Sequence, residues 1–188
     1  MKRSLETWKA TPVYRTRPLP AGELRGHFFL VEPVIAVTRD ALTSFALAGI
    51  RDGGHEGMAF WAGYEAGDGT VILQAIVPNA AHSNQRVMAS AEAVGDAARA
   101  ARHNGLGILC QVHSHPGDDA RHSDGDDELV LLSFEGMLSI VVPNFGLQFD
   151  GLGTACVHQF QTGRWVLCSQ ESVRTHITVI SSRIDLRV

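Results

Sequence analysis

Residues 113–126 read His-Ser-His-Pro-Gly-Asp-Asp-Ala-Arg-His-Ser-Asp-Gly-Asp, and this run decides how the rest of the chain is interpreted. His113 and His115 are two residues apart, so on an extended strand both imidazoles point to the same face and can bind one cation. Ser114 between them is expected to point the other way and to form a hydrogen bond in the sheet or behind the ligands. Pro116 has no N–H to give to a strand ladder, so the strand is predicted to end there.

A helix is predicted to begin at Ser123, which places Asp126 on the same helical face three residues later. Two imidazoles and one carboxylate would leave a fourth tetrahedral position for water, as in catalytic rather than structural zinc sites. The simpler roles are a helix N-cap for Ser123 and an acid favoured by the helix dipole for Asp126. The pattern predicts a Zn²⁺ site formed by His113, His115 and Asp126.

The pattern His-x-His-Pro, six residues and Ser-x-x-Asp within residues 113–126 resembles the JAMM (MPN-plus) metalloprotease motif. Glu56, which precedes an apolar run, resembles the upstream glutamate of that family. The resemblance spans roughly residues 27–160. It implies a mixed α/β (α+β) fold of the JAB/MPN type, in which helices flank a curved mixed sheet and zinc lies at one end.

The resemblance also implies roles for two further residues. Glu56 would act as the general base that takes a proton from water, and Ser123 would donate to the tetrahedral oxyanion. The simpler reading of Glu56 is a surface strand residue, and Glu65 at the end of the same strand is the fallback base. Gly57 beside the apolar run suggests a close approach of two backbones at Glu56.

The substrate implied by the resemblance is ubiquitin or a ubiquitin-like protein, cleaved after its C-terminal glycine by a zinc-dependent isopeptidase. Partners would then include conjugates of that protein and the activating and conjugating enzymes of its pathway. One alternative is a small-substrate metalloamidase that releases an amino acid from a sulfur-carrier protein, and another is a non-catalytic MPN scaffold. Residues 143–151 are the candidate substrate flap, with a plain surface loop as the alternative.

Composition, net charge and cysteine spacing argue against several classes of protein. The chain has 188 residues, 45% of them hydrophobic and 19% charged, which suits one globular domain. The net charge of −4 argues against nucleic acid as a partner, and no run of eighteen apolar residues predicts a membrane span. Cys110, Cys156 and Cys168 are widely spaced, so we expect reduced, buried thiols and a cytoplasmic location.

The chain divides into an extended arm over residues 1–25, a JAB/MPN-like domain over 26–170 and a C-terminal extension of ambiguous structure over 171–188. The apolar run at 28–37 predicts a strand, and Thr38 is the predicted cap of a helix over 41–48. Ser83 is the predicted cap of the longest helix. Further strands are predicted over 70–77, 106–112, 138–142, 154–160 and 164–168. Histidines without ligand spacing are expected to be structural or exposed; these are His55, His82, His103, His122, His158 and His176.

Overall fold

The computed structural model describes residues 19–128 and 132–182, and in these ranges it contains eleven strands, four α-helices and two short 3-10 helices. In chain order the strands are β1 (Ala21–Gly22), β2 (His27–Val31), β3 (Met58–Ala66), β4 (Gly69–Ile76), β5 (Ala80–Ser83), β6 (Arg86–Ala89), β7 (Gly107–Ser114), β8 (Leu138–Val142), β9 (Cys156–Gln161), β10 (Arg164–Cys168) and β11 (Ile177–Ile180). The helices are α1 (Glu32–Ala48), α2 (Ala91–His103), α3 (Asp124–Glu128) and α4 (Gln170–His176).

Nine strands form one mixed sheet in the order β1-β10-β9-β8-β7-β3-β4-β2-β11, and β5 pairs with β6 in a separate hairpin. The central strand β7 runs antiparallel to β3 and parallel to β8. Trp61 clusters with residues of α1, and its strand neighbour Phe60 clusters with residues of α2. Successive strand residues point to opposite faces, so the two helices cover opposite faces of the sheet. The predicted mixed fold with flanking helices is confirmed.

Strand β7 positions the residues that carry the motif. Its adjacent residues Val112 and His113 point to opposite faces and are both buried, as expected for a central strand covered on both faces. His113 at its end pairs with Met58 of β3 on one side and Val141 of β8 on the other. Three adjacent strands therefore fix the first candidate ligand.

Helix α1 begins nine residues earlier than predicted, so the strand predicted over 28–37 is confirmed only for residues 28–31, which belong to β2, and the cap predicted at Thr38 is wrong. Glu32 and Pro33 open the helix, and proline favours the first turn, where its missing N–H costs nothing. Thr38 is fully buried inside α1, where its hydroxyl donates to Val34 O at 2.7 Å. The same hydroxyl accepts a hydrogen bond from Trp61 Nε1 at 2.7 Å, which ties the helix to β3.

Helix α2 begins later than predicted. Ser83 lies at the end of β5, and the cap is Ser90, whose side chain accepts a hydrogen bond from Ala93 N. Val87, which a helix capped by Ser83 would include, belongs to β6. The spacing of apolar residues in this segment is compatible with a helix or with a strand. The turn between β5 and β6 makes the segment a β-hairpin.

Both expected extensions contribute to the main sheet. β1 pairs in parallel with β10, and Leu24 N donates to Ser172 Oγ at 2.7 Å, so residues 21–25 do not belong to an arm. At the other end, β11 pairs in parallel with β2 and Val173 of α4 is buried in the core. The remaining residues of the two predicted extensions, 1–18 and 183–188, lie outside the described ranges.

The remaining predicted strands and the cysteines agree with the structure. Each of the other predicted strands overlaps an observed one, and β8 has the predicted bounds. Cys110 and Cys168 are buried, Cys156 is half-buried, and all three are free thiols. Within the described ranges, no helix is both long enough and apolar enough to cross a bilayer.

Candidate metal centre

The structure brings His113, His115 and Asp126 together as a group that could hold a metal ion. The two imidazole Nε2 atoms are 3.2 Å apart, His113 Nε2 lies 3.1 Å from Asp126 Oδ1, and His115 Nε2 lies 3.2 Å from Asp126 Oδ2. Tetrahedral zinc with bonds of about 2.0–2.1 Å separates neighbouring ligand atoms by about 3.3 Å. The donor types and the separations therefore fit zinc.

His115 has a defined tautomer in this arrangement. It follows the last residue of β7, and its Nδ1 lies 2.9 Å from the carbonyl oxygen of Asp119. Because a carbonyl oxygen only accepts, Nδ1 carries the proton and Nε2 presents its lone pair to the other ligands. Burial lowers the pKa of His115, but its contacts with Asp126 outweigh this effect and raise the pKa overall.

Asp126 is oriented by the cap of α3. Its Oδ2 accepts hydrogen bonds from Ser123 N at 2.7 Å and from Ser123 Oγ at 2.8 Å, and Asp126 N donates to Ser123 Oγ at 3.3 Å. Burial disfavours the ionised carboxylate, but His113 and His115 hold the pKa of Asp126 far below its usual range. Ser123 thus caps the helix as predicted, while its oxyanion role stays a prediction.

Glu56 lies two residues before β3 rather than within the strand, on a segment held by backbone hydrogen bonds. Gly57 N donates to Ser114 Oγ at 2.9 Å, and Ser114 N donates to Gly57 O at 3.0 Å. On the other side, Glu56 N donates to Ser83 O at 2.8 Å. A Cβ on Gly57 would lie 2.7–2.9 Å from side-chain atoms of Phe45, so the close contact at this glycine is with a side chain of α1 and not with a second backbone.

The Glu56 carboxyl is suited to proton transfer near neutral pH. The residue is 7% exposed, and burial raises its pKa from 4.5 to about 7, although the charges of His113 and His115 lower it in part. A general base works best when its pKa is close to the working pH. Glu65 is exposed beside Thr70 at the other end of β3, so the fallback base is wrong.

A buried histidine pair supports the segment that carries Ser123. His122 and His158 are fully buried and their rings stack at 3.9 Å. His158 Nδ1 donates to Ser139 O at 3.3 Å, and its Nε2 accepts from His122 N at 3.4 Å. Burial lowers the pKa of His158 to about 2, so the ring is neutral. The two residues carry no ligand spacing, and the sequence has no signal for this pairing because the partners are 36 residues apart.

Backbone hydrogen bonds hold the loop over 143–151 against the segment that follows β7. Phe145 N donates to His115 O at 2.7 Å, and Asn144 N donates to Gly117 O at 3.0 Å. Phe149 is buried, while Leu147 is 50% exposed. The loop therefore packs onto the metal centre through its backbone, and its role as a substrate flap stays a prediction.

Comparison with known proteins places this site in a family. Residues 38–149 match the family described as prokaryotic homologs of the JAB domain, and this range includes Glu56 and the whole 113–126 run. The chain is also 32% identical over 154 residues to a probable metalloprotease of Sinorhizobium fredii. That similarity covers 78% of this chain and 94% of the relative.

The chain is similar to solved structures, one of which shows the same fold. A protein from Desulfitobacterium hafniense, known from its solution structure, is similar with a TM-score of 0.60 and 16% identity, over 82% of this chain and 94% of that one. A JAB1/MPN domain protein from Archaeoglobus fulgidus matches with a TM-score of 0.44 and 16% identity, over 81% and 96% of the two chains. At these identities the first likeness concerns the fold alone.

The geometry predicts that the purified protein binds close to one zinc ion per chain. Asp126→Asn should weaken zinc binding by more than about 100-fold, because even residues behind the ligands contribute 10–100-fold in such sites. Asp124→Asn, on the same helix, is the matched control and should bind zinc like the parent. Metal content and competition with a chromogenic chelator would measure both. Equal zinc affinity in the two variants would exclude Asp126 as a ligand.

The buried Glu56 carboxyl predicts a pH-dependent stability of the zinc-free protein. Its folded pKa is raised, so its ionisation destabilises the fold progressively from pH 4.5 to about pH 7 and fully above that. Glu56→Gln removes this effect, so its stability relative to the parent should rise by about 3 kcal/mol between pH 4.5 and pH 8. Urea unfolding at several pH values measures this, with Glu65→Gln as the exposed control. A constant difference across this range would contradict the raised pKa.

Proposed function

The chain belongs to the family of prokaryotic homologs of the JAB domain, and on that premise we propose that it is a zinc-dependent peptidase acting on a ubiquitin-like protein. The bond cleaved is the amide after the C-terminal glycine of that protein, in a conjugate or a precursor. The observation that carries the proposal is the convergence of His113, His115 and Asp126 beside the buried carboxyl of Glu56.

Hydrolysis requires water to attack the amide carbonyl and a proton to reach the leaving nitrogen. Zinc held by His113, His115 and Asp126 would act as a Lewis acid and lower the pKa of water to about 7. Glu56 accepts the proton of the attacking water as the new C–O bond forms. It then delivers that proton to the amine nitrogen as the C–N bond breaks. The cycle returns Glu56 to its starting state and needs no covalent intermediate with the protein.

Ser123 is proposed to stabilise the oxyanion formed during the attack. In the structure its hydroxyl donates to Asp126 Oδ2 at 2.8 Å. A hydroxyl can rotate, so it can turn its proton towards a substrate oxygen while Ser123 N still holds the carboxylate at 2.7 Å. The cap would therefore keep Asp126 oriented throughout the reaction.

The peptidase class is supported by two independent features. The relative in Sinorhizobium fredii is named a probable metalloprotease. A general base with a pKa near 7 beside a two-histidine, one-carboxylate site is also what hydrolysis of an amide at neutral pH requires.

The hairpin of β5 and β6 supports an extended peptide tail as the substrate. Ser83 at the end of β5 accepts the hydrogen bond from Glu56 N, so the hairpin lies directly beside the base. The described residues give this sheet two strands, and an added strand would extend it through backbone hydrogen bonds. A tail ending in glycines suits such a position because it brings no side chains close to the metal centre.

The general-base role predicts that Glu56→Gln retains fold and zinc but loses about 10²–10⁴-fold in turnover. The amide is close to the carboxyl in shape but cannot accept the proton of water. Glu65→Gln, at the far end of β3, is the matched control and should keep full activity. Steady-state cleavage assays together with zinc analysis test this. Near-normal turnover in Glu56→Gln would assign the proton transfer to another group.

The proposed substrate predicts cleavage of a ubiquitin-like fusion directly after its terminal Gly-Gly, detected by mass spectrometry. Replacing the penultimate glycine of the substrate by leucine should abolish cleavage, because the side chain would meet the walls beside the metal centre. A leucine four residues further upstream is the control and should be tolerated. If no such fusion is cleaved while a short acyl-amino acid is hydrolysed, the small-substrate amidase is the better assignment.

A further inference from the structure

Three consecutive residues beside the metal centre have left-handed backbone conformations. The φ angles are 54° at Asn144, 56° at Phe145 and 72° at Gly146. Glycine and asparagine are common in this region, but a bulky side chain there is an outlier that the surrounding structure must hold. Backbone strain of this kind is concentrated at functional sites. Of the three residues, Phe145 has the conformation that is unusual for its side chain.

Two contacts hold Phe145 in this conformation. Its N–H donates to the carbonyl of the candidate ligand His115 at 2.7 Å. Its ring lies against Gly54, since a Cβ added to that glycine would be 2.9–3.2 Å from three ring carbons. The next residue, Gly146, is pressed against Leu42 of α1, where an added Cβ would lie 2.6 Å from a side-chain carbon. These contacts pack the loop against α1 and against the segment before β3.

The two contacts connect opposite sides of the site. The backbone bond reaches the chain just after β7, which carries the ligands, and the ring reaches the segment just before β3. Gly54 is two residues from Glu56, and its own φ of 102° requires glycine. The absence of a side chain at Gly54 is also what admits the ring. The left-handed turn thus allows Phe145 to bind the chain after β7 through its N–H and to pack against the segment before Glu56 through its ring.

We propose that Phe145 is a positioning residue that fixes the Glu56 segment relative to the metal ligands. It acts through Gly54 and does not contact the reacting atoms. Its effect on turnover rests on the proposed function, whereas its effect on the Glu56 segment does not. The ring limits the movement of residues 54–57, while Ser83 and Ser114 hold the same segment through backbone hydrogen bonds.

Hydrogen exchange in the zinc-free protein tests the positioning directly. The amides of Glu56 and Gly57 are hydrogen-bonded to Ser83 O and Ser114 Oγ, so both report on the segment. Phe145→Gly keeps the left-handed backbone and the N–H but removes the ring, and should accelerate exchange of these two amides by about tenfold or more. Phe145→Tyr keeps the ring and should restore slow exchange.

Asn144→Gly is the matched control for added backbone flexibility. It relaxes the neighbouring left-handed residue and removes the hydrogen bond to Asp118, but leaves the ring on Gly54. The two amides should exchange in this variant as in the parent. If Phe145→Gly does not fold, Phe145→Leu takes its place in the comparison, because it shortens the side chain without emptying the site.

Zinc binding and turnover complete the test. Zinc content and the visible spectrum of the Co²⁺-substituted protein should be unchanged in Phe145→Gly, because its ligands and the N–H bond to His115 remain. The value of kcat should fall by about 10- to 100-fold with little change in KM, as expected when a catalytic group is misplaced. Phe145→Tyr should recover the activity.

Unchanged exchange at Glu56 and Gly57 in Phe145→Gly would overturn the proposal. Faster exchange spread equally over the whole sheet would overturn it as well, because the ring would then only stabilise the fold. Local acceleration without cleavage of any ubiquitin-like fusion by the parent protein would leave the positioning role intact and reject the proposed substrate. The two failures are therefore distinguishable.

Discussion

The pairing between Ser114 and Gly57 is the constraint on which the site depends. The backbone of Ser114 donates to Gly57 O, and its hydroxyl accepts from Gly57 N, so one residue binds both polar groups of the glycine. Ser114 is fully buried between the two candidate histidine ligands. Ser114 lies between the two ligands in the sequence and also holds the Glu56 segment. A change in register between β3 and β7 would therefore displace the base relative to the ligands.

The electrostatics of the site follow from burying several ionisable groups in one place. Asp126 stays ionised because two imidazoles and the Ser123 cap stabilise its charge, whereas burial outweighs the same imidazoles at Glu56. Two carboxyl groups in one site thus differ widely in pKa, which is how a single site can contain both a metal ligand and a base. Behind them, the neutral ring of His158 accepts a hydrogen bond from His122 N without adding charge.

The fold brings distant parts of the chain to this end of the sheet. The base segment leads into β3, the ligands lie at the end of β7 and after it, and the loop after β8 packs on both through Phe145. Parallel pairing of β7 with β8 places the ends of these two strands side by side. The residues after each strand can then interact directly, and the site combines short loops with rigid strand ends.

The sequence by itself determined the candidate ligands, because His113, His115 and Asp126 come from fourteen consecutive residues whose strand, proline and helix cap set their geometry locally. It also indicated Glu56, through a resemblance and the glycine beside it. The pairings of Thr38, His122 and Phe145 were decided by the tertiary structure. In the sequence Thr38 resembles a helix cap, but in the structure its hydroxyl accepts a hydrogen bond from Trp61. Phe145 has its left-handed conformation where it contacts both His115 and Gly54. Local patterns encode contacts between near neighbours, whereas these contacts join residues 23 to 91 positions apart, and packing alone brings them together.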